Sequence, residues 1–144
     1  MQLRHILSRS SILSQQQRLL STSLLSPSSL HYLCICCGLL YHLPKPWEFL
    51  NRLPSVAPIL YLWTAYCGDR EAIDLPNGMR GKIHGEGGLD EPLSGLSPTA
   101  TWLTLDCLLA CLAAAGYKQV EVIQDEPNHV NGCMVTIGAR LRAE

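Results

Sequence analysis

Cys36-Cys37-Gly38-Leu39-Leu40-Tyr41-His42-Leu43-Pro44-Lys45-Pro46-Trp47-Glu48-Phe49-Leu50 decides the fold. The apolar run Tyr32–Cys37 leading into it is short and carries Ile35 among cysteines, which suits a buried strand. Gly38 lets the backbone turn where that strand ends. Pro46 fits the first turn of a helix, where its missing N–H costs nothing. Trp47, Leu50 and Leu53 follow at helical spacing, and Pro54 closes the segment. A strand, a turn and a helix in this order make half of an α/β unit. The strand needs partners, and only a basic, serine-rich leader precedes it, so the front half of such a sheet is expected to be missing from this chain.

Outward from this unit the pattern continues. Ile59–Tyr66 is apolar and aromatic on both faces, which predicts a central strand of a covered, mostly parallel sheet. Residues 67–100 hold seven glycines and three prolines and are expected to be a long irregular loop, functional because loops of this length in a compact domain are uncommon. Gly85-Glu86-Gly87-Gly88 within it is read as following no strand and opening no helix. Thr101–Gly116 predicts a helix, with Thr104 as N-cap, Asp106 in the first turn and Gly116 as the stop. Leu105, Leu108, Leu109, Leu112 and Ala113 form its apolar stripe. Val120–Ile123 and Met134–Ala139 are strands expected to pair antiparallel across the turn region Asp125–Gly132. The order is β-α-β-loop-α-β-β, without internal repeats.

The 144 residues suffice for one domain, and 47% hydrophobic against 16% charged residues can build a core. A net charge of −1 argues against a general nucleic-acid binder. The charge is uneven. No acid precedes Glu48, and from there on twelve carboxylates face seven Lys and Arg, leaving a body of about −5. Residues 1–31, with three Arg and many Ser and Leu, are expected to be a disordered leader. Residues 32–144 are the domain. The seven cysteines, an odd number without paired CxxC motifs, suit reduced buried thiols in the cytoplasm. The acid-free leader gives a mitochondrial alternative. No apolar run reaches the ~20 residues of a bilayer span. Strand alternation puts Cys34 and Cys36 on one face and Cys37 on the other, which does not converge on a metal, so no metal site is expected.

Three segments together carry a resemblance. Cys36-Cys37-Gly38-Leu39-Leu40-Tyr41-His42-Leu43 resembles the fourth strand, and the turn after it, of class I S-adenosylmethionine-dependent methyltransferases. Thr104-Leu105-Asp106-Cys107-Leu108-Leu109 through Ala114-Ala115-Gly116-Tyr117 resembles the helix before their sixth strand. Asn128-His129-Val130-Asn131-Gly132, then Met134–Arg140, resembles the hairpin into their last, antiparallel strand. The resemblance covers about residues 32–142. It implies an incomplete Rossmann-like sheet of about four strands, the last one antiparallel, with helices packed on it. It also implies methyl transfer from S-adenosylmethionine to an unidentified acceptor. The family's glycine-rich turn after strand one and its acidic ribose clamp have no counterpart before residue 32. The chain is therefore expected to bind the cofactor no better than millimolar and to be a poor enzyme alone.

The resemblance implies that Gly38, Leu39 and Leu40 border the methionine end of the cofactor and that Tyr41 and His42 face the acceptor. His42 is either a base or a structural histidine beside Pro44. Tyr41 is either catalytic, its face drawn to a sulfonium, or a packed ring. His84, between Ile83 and Gly85 in the glycine-rich stretch, is a substrate contact or a solvated loop residue. Trp63 and Tyr66 are pocket wall or core, and Trp102, read as packing the helix entry, joins them as a candidate acceptor contact. A non-catalytic methyltransferase-like remnant or interaction protein is the alternative function. An unpartnered sheet edge at Tyr32–Cys37 would invite self-association.

Overall fold

A computed structural model describes residues 32–142. The leader expected over residues 1–31 lies outside them. Among the described residues seven strands form two sheets. The main sheet has the order β1 (Leu33–Cys37), β2 (Ile59–Ala65), β7 (Met134–Arg140), β6 (Gln119–Glu126). β1 and β2 are parallel, Leu33 opposite Ile59 and Cys37 opposite Trp63. β7 is antiparallel to both its neighbours and is inserted between β2 and β6. The four-stranded sheet and its antiparallel last strand therefore stand as expected.

Helices α1 (Pro46–Arg52) and α2 (Leu105–Ala115) pack on each other and on one face of this sheet. The core lies between them: Cys36, Leu60, Leu62, Val135 and Ile137 from the strands meet Leu50, Leu53, Leu108 and Leu112. Each such leucine stabilises the fold by roughly 1.5–3 kcal/mol through burial. Helix α2 has the expected ends. Thr104 Oγ1 accepts the Cys107 N–H at 3.4 Å, and Gly116 stops the helix in left-handed backbone at φ +115°.

Three expectations change. The helix starts at Leu105, not Thr101, because Thr99–Leu103 is strand β5, where β-branched Thr99 and Thr101 and the ring of Trp102 fit a pleated surface. Residues 67–100 are not an irregular loop. β3 (Ile73–Asp74), β4 (Arg80–Gly85) and β5 form a second, antiparallel sheet, and Gly85–Gly88 leaves the end of β4 and leads into a 3-10 turn, Gly88–Asp90. β2 is central, but its neighbours are of mixed direction. The face opposite the helices carries exposed Leu33, Ile35, Tyr61 and Ile123, with Ile35 67% exposed. β1 has no second neighbour strand among the described residues, so it is a sheet edge.

The small sheet is tied to the turn after β1. Thr101 N–H donates to Leu43 O at 3.0 Å, Thr101 Oγ1 donates to Pro44 O at 2.7 Å, and Trp102 Nε1 donates to Tyr41 O at 2.9 Å. Cys67 N–H donates to Leu103 O at 2.8 Å and links the end of β2 to the same strand.

Candidate functional site

The carboxyl ends of the parallel strands β1 and β2 are where ligands bind in open α/β sheets. A cleft of about 490 Å³ opens there, within the size range of small-molecule sites. Its wall comes from both sheets: Tyr41 and His42 from the turn after β1, Trp63 from β2, His84 and Glu86 from the end of β4, and Trp102 from β5.

Gly38 ends β1 at φ +71°, the left-handed region that favours glycine, and its N–H donates to Trp63 O at 3.3 Å. The chain then tightens into a 3-10 turn, Leu40–His42. Leu40 is fully buried in the core, so that residue anchors the turn rather than facing the cleft. Leu39 is half-buried against the same core. Anchoring Leu40 swings Tyr41 and His42 outward.

Aromatic rings line the cleft. Tyr41 lies 4.4 Å from the His42 ring and meets Trp63 and Trp102 edge-on at 6.2 and 6.4 Å. His84 stacks on Trp102 at 4.3 Å, and Lys82 Nζ sits 4.8 Å from the Trp102 ring while pairing with Glu71. Burial, and secondly the charge of Glu86, raise the Tyr41 hydroxyl above its ordinary value.

Five of the candidate residues thus come together: Tyr41, His42, Trp63, His84 and Trp102. Tyr66 does not join them. Strand alternation sets its side chain opposite Trp63, into the core, where its hydroxyl donates to Asp125 Oδ1 at 2.7 Å.

Glu86 was not singled out by sequence. Its side chain is 5% exposed, and both its oxygens lie within hydrogen-bonding distance of His42 Nδ1, Oε2 at 3.1 Å and Oε1 at 3.2 Å. Oε2 also accepts from Ser94 Oγ at 2.8 Å and Gly95 N–H at 2.7 Å. Gly95 is needed for this closeness, since a Cβ there would stand 2.6 Å from His42 O. Burial pushes the Glu86 carboxyl up, but the bonds from Gly95, Ser94 and His42 outweigh it and hold the group below its ordinary value.

A carboxyl held low in the folded state contributes stability above the ordinary carboxylate range and loses it as pH falls through the lowered value. Thermal unfolding followed from neutral into acid pH should therefore show a steeper loss of stability for the wild type than for Glu86→Gln. Equal slopes would mean that Glu86 adds nothing to the fold's acid sensitivity.

Among the described residues no group of three His, Cys, Asp or Glu side chains is placed to hold a metal ion. All seven cysteines are unpaired, and burial, followed by the neighbouring Cys34 and Cys37, pushes the Cys36 thiol up to about 12. No helix among the described residues is long and apolar enough to cross a membrane.

No protein-family model matches the chain, and no curated protein does. Solved structures do match. The N-terminal domain of EvdMO1 with SAH (S-adenosylhomocysteine) bound is 27% identical, superposing with a TM-score of 0.68 over 83% of this chain and 50% of that one. The same domain, in the presence of SAH and D-fucose, is 29% identical with a TM-score of 0.67, over 83% and 52%. The glycopeptide N-methyltransferase MtfA complexed with sinefungin is 15% identical with a TM-score of 0.51, over 94% of this chain and 75% of that one. The chain spans about half the length of the EvdMO1 domain structures. The described residues carry the fold of an S-adenosylmethionine-dependent methyltransferase.

Proposed function

We propose that the cleft is the acceptor side of an S-adenosylmethionine-dependent methyl-transfer site. The observation that carries this reading is the convergence of Tyr41, His42, Trp63 and Trp102 at the carboxyl ends of two parallel strands, directly after the Gly38 turn. When bound, S-adenosylmethionine supplies an electrophilic methyl group on sulfur. Gly38 turns the chain there in left-handed backbone, with the Tyr41 hydroxyl packed 3.4 Å from the position a Cβ would take, so the turn and the Tyr41 ring together border the place proposed for the methionine end. The described residues offer no glycine-rich strand-to-α-helix turn for the nucleoside end. Gly85–Gly88 opens only a three-residue 3-10 turn.

The protein's part is positioning and exclusion of water. Trp63 and Trp102 wall the acceptor, His84 stacks on Trp102 within the same wall, and Tyr41 meets both indoles edge-on. A cytoplasmic place of action belongs to the same reading and is supported by the seven unpaired thiols. Mass spectrometry of the 144-residue chain incubated with S-adenosylmethionine and a panel of small hydroxylated acceptors tests the activity. Formation of S-adenosylhomocysteine together with an acceptor 14 mass units heavier (about one CH₂) is expected; acceptors left unchanged across the panel would count against it.

A second reading is favoured by the uncovered sheet face. Leu33 and Ile35 on β1 and Tyr61 on the neighbouring β2 are exposed at the open edge of β1, the arrangement that invites pairing with another chain. In this reading the chain self-associates through β1. Sedimentation should then show a dimer or larger species in the wild type that Ile35→Lys returns to monomer. A monomeric wild type would remove this reading.

A further inference from the structure

Three sulfurs meet where the small sheet rests on helix α2. Cys107 and Cys111 stand four residues apart on α2 and so share one face of it. Met79 reaches them from the turn between β3 and β4, and its Sδ lies 3.8 Å from Cys111 Sγ. Cys107 Sγ accepts the N–H of Arg80, the next residue, at 3.3 Å. All three residues are half-buried at the rim of the core, and none of them lines the cleft.

The backbone holds this group from both sides. The turn that carries Met79 is closed by Gly78 N–H donating to Leu75 O at 2.9 Å and Leu75 N–H to Met79 O at 2.8 Å. Met79 N–H donates to Asn77 Oδ1 at 3.1 Å. The start of α2 is fastened to the same place, since Thr104 N–H donates to Arg80 O at 3.0 Å. A helix and a tied turn therefore present the sulfurs to one another without rearrangement of the chain.

Two thiols and a thioether are a soft donor set. Hard cations such as Mg²⁺ take oxygen ligands, and structural zinc closes with four nitrogen or sulfur ligands. Thiolate and thioether together select Cu(I). Among the described residues no third His, Cys, Asp or Glu joins the two thiols, so the third ligand is the thioether. At the metal–sulfur distance of about 2.3 Å, three sulfurs in a plane around one ion stand about 4 Å apart. The 3.8 Å between Met79 and Cys111 fits that spacing.

We propose that Cys107, Cys111 and Met79 form a three-sulfur site for a soft monovalent cation of the Cu(I) class. As the ion binds, each thiol gives its proton to solvent and a metal–sulfur bond takes its place, with no change of oxidation state. The Arg80 N–H stays on Cys107 Sγ and steadies the thiolate from outside the metal's own ligands.

Ag(I), which prefers the same ligands and is inert to redox change in water, is the probe. The full chain, reduced and labelled with ¹³C-methyl methionine, is titrated with Ag(I) and followed by NMR. Met79→Leu, a swap of nearly equal volume, identifies the Met79 signal among the three methionines. The Met79 methyl should move saturably, and the methyl of Met134, buried in β7, should stay in place. Cys107→Ser and Cys111→Ser should each abolish the shift with the circular dichroism unchanged. Cys37→Ser, which removes the exposed thiol of β1, should preserve it. Mg²⁺ at the same concentrations should move nothing. A Met79 methyl unmoved in excess Ag(I) would overturn the site and leave silver on the other cysteines. A shift that survives replacement of both Cys107 and Cys111, or an equal shift with Mg²⁺, would overturn it as well.

Discussion

Replacing His42 with asparagine is expected to slow methyl transfer by about 10²–10⁴-fold, the usual contribution of a positioned general base, while the protein stays folded. The turn that carries His42 does not depend on its ring. His42 N–H donates to Leu39 O and Leu43 N–H to Leu40 O, both at 3.1 Å, and Leu40 is buried in the core. The Trp102 indole is fixed to the carbonyl of Tyr41, one residue earlier. Asparagine can also return an amide N–H to Glu86 in place of Nδ1, so the buried carboxylate is not left alone. What asparagine cannot supply is a proton acceptor at the position of Nε2. Steady-state rates on the 144-residue chain, with circular dichroism on the same samples, check this. A variant with unchanged rate would show that the imidazole only supports the wall of the cleft.

Leu62→Ala is expected to destabilise the domain by about 2–5 kcal/mol, the range for large-to-small changes at buried leucines. Leu62 is wholly buried in the middle of β2, with Cys36 beside it on β1 and Ile137 beside it on β7. All three face the helices, so the void would open where two strand pairings and the helical layer meet. Backbone on both sides is held by ladder hydrogen bonds, which limits collapse into the space. Because domains of this kind are stable by only about 5–15 kcal/mol, the change is a large fraction of the total. Urea unfolding followed by circular dichroism measures it. A loss under about 1 kcal/mol would mean that the layer repacks, contrary to the close packing the structure shows.

Much of the main sheet was legible because its signals are local. The Gly38 turn, the proline-opened helix α1, the Thr104 and Gly116 ends of α2 and the β6–β7 hairpin each depend on a few adjacent residues. The second sheet was not legible. β4 reads Arg-Gly-Lys-Ile-His-Gly, and its buried position is Gly81 while Ile83 points to solvent, the reverse of the usual pattern. β3 is two residues long. Thr99–Leu103 runs directly into α2, so its apolar residues merged with the helical stripe.

The site divides in the same way. Tyr41, His42, Trp63 and Trp102 were found because the turn after β1 and the aromatic positions stand out in sequence. Glu86 was missed because its partner lies 44 residues away, and nothing in Gly-Glu-Gly-Gly marks a carboxylate bound for burial. Only the docking of the small sheet on the turn, through Thr101 and Trp102, brings the two together. Tyr66, open between pocket wall and core in sequence, takes the core place, because three positions beyond Trp63 the alternation sends it to the other face.

The most direct test of the methyl-transfer site is a titration of ¹⁵N-labelled 144-residue chain with S-adenosylhomocysteine, read by amide and indole chemical shifts. Saturable shifts at Gly38, Leu39, Tyr41 and the Trp63 indole, with a dissociation constant of about 1 mM, are the predicted result, because the turn after β1 supplies contacts for the methionine end alone. Shifts confined to other surfaces, or none at these residues at saturating ligand, would contradict the placement of methyl transfer in this cleft.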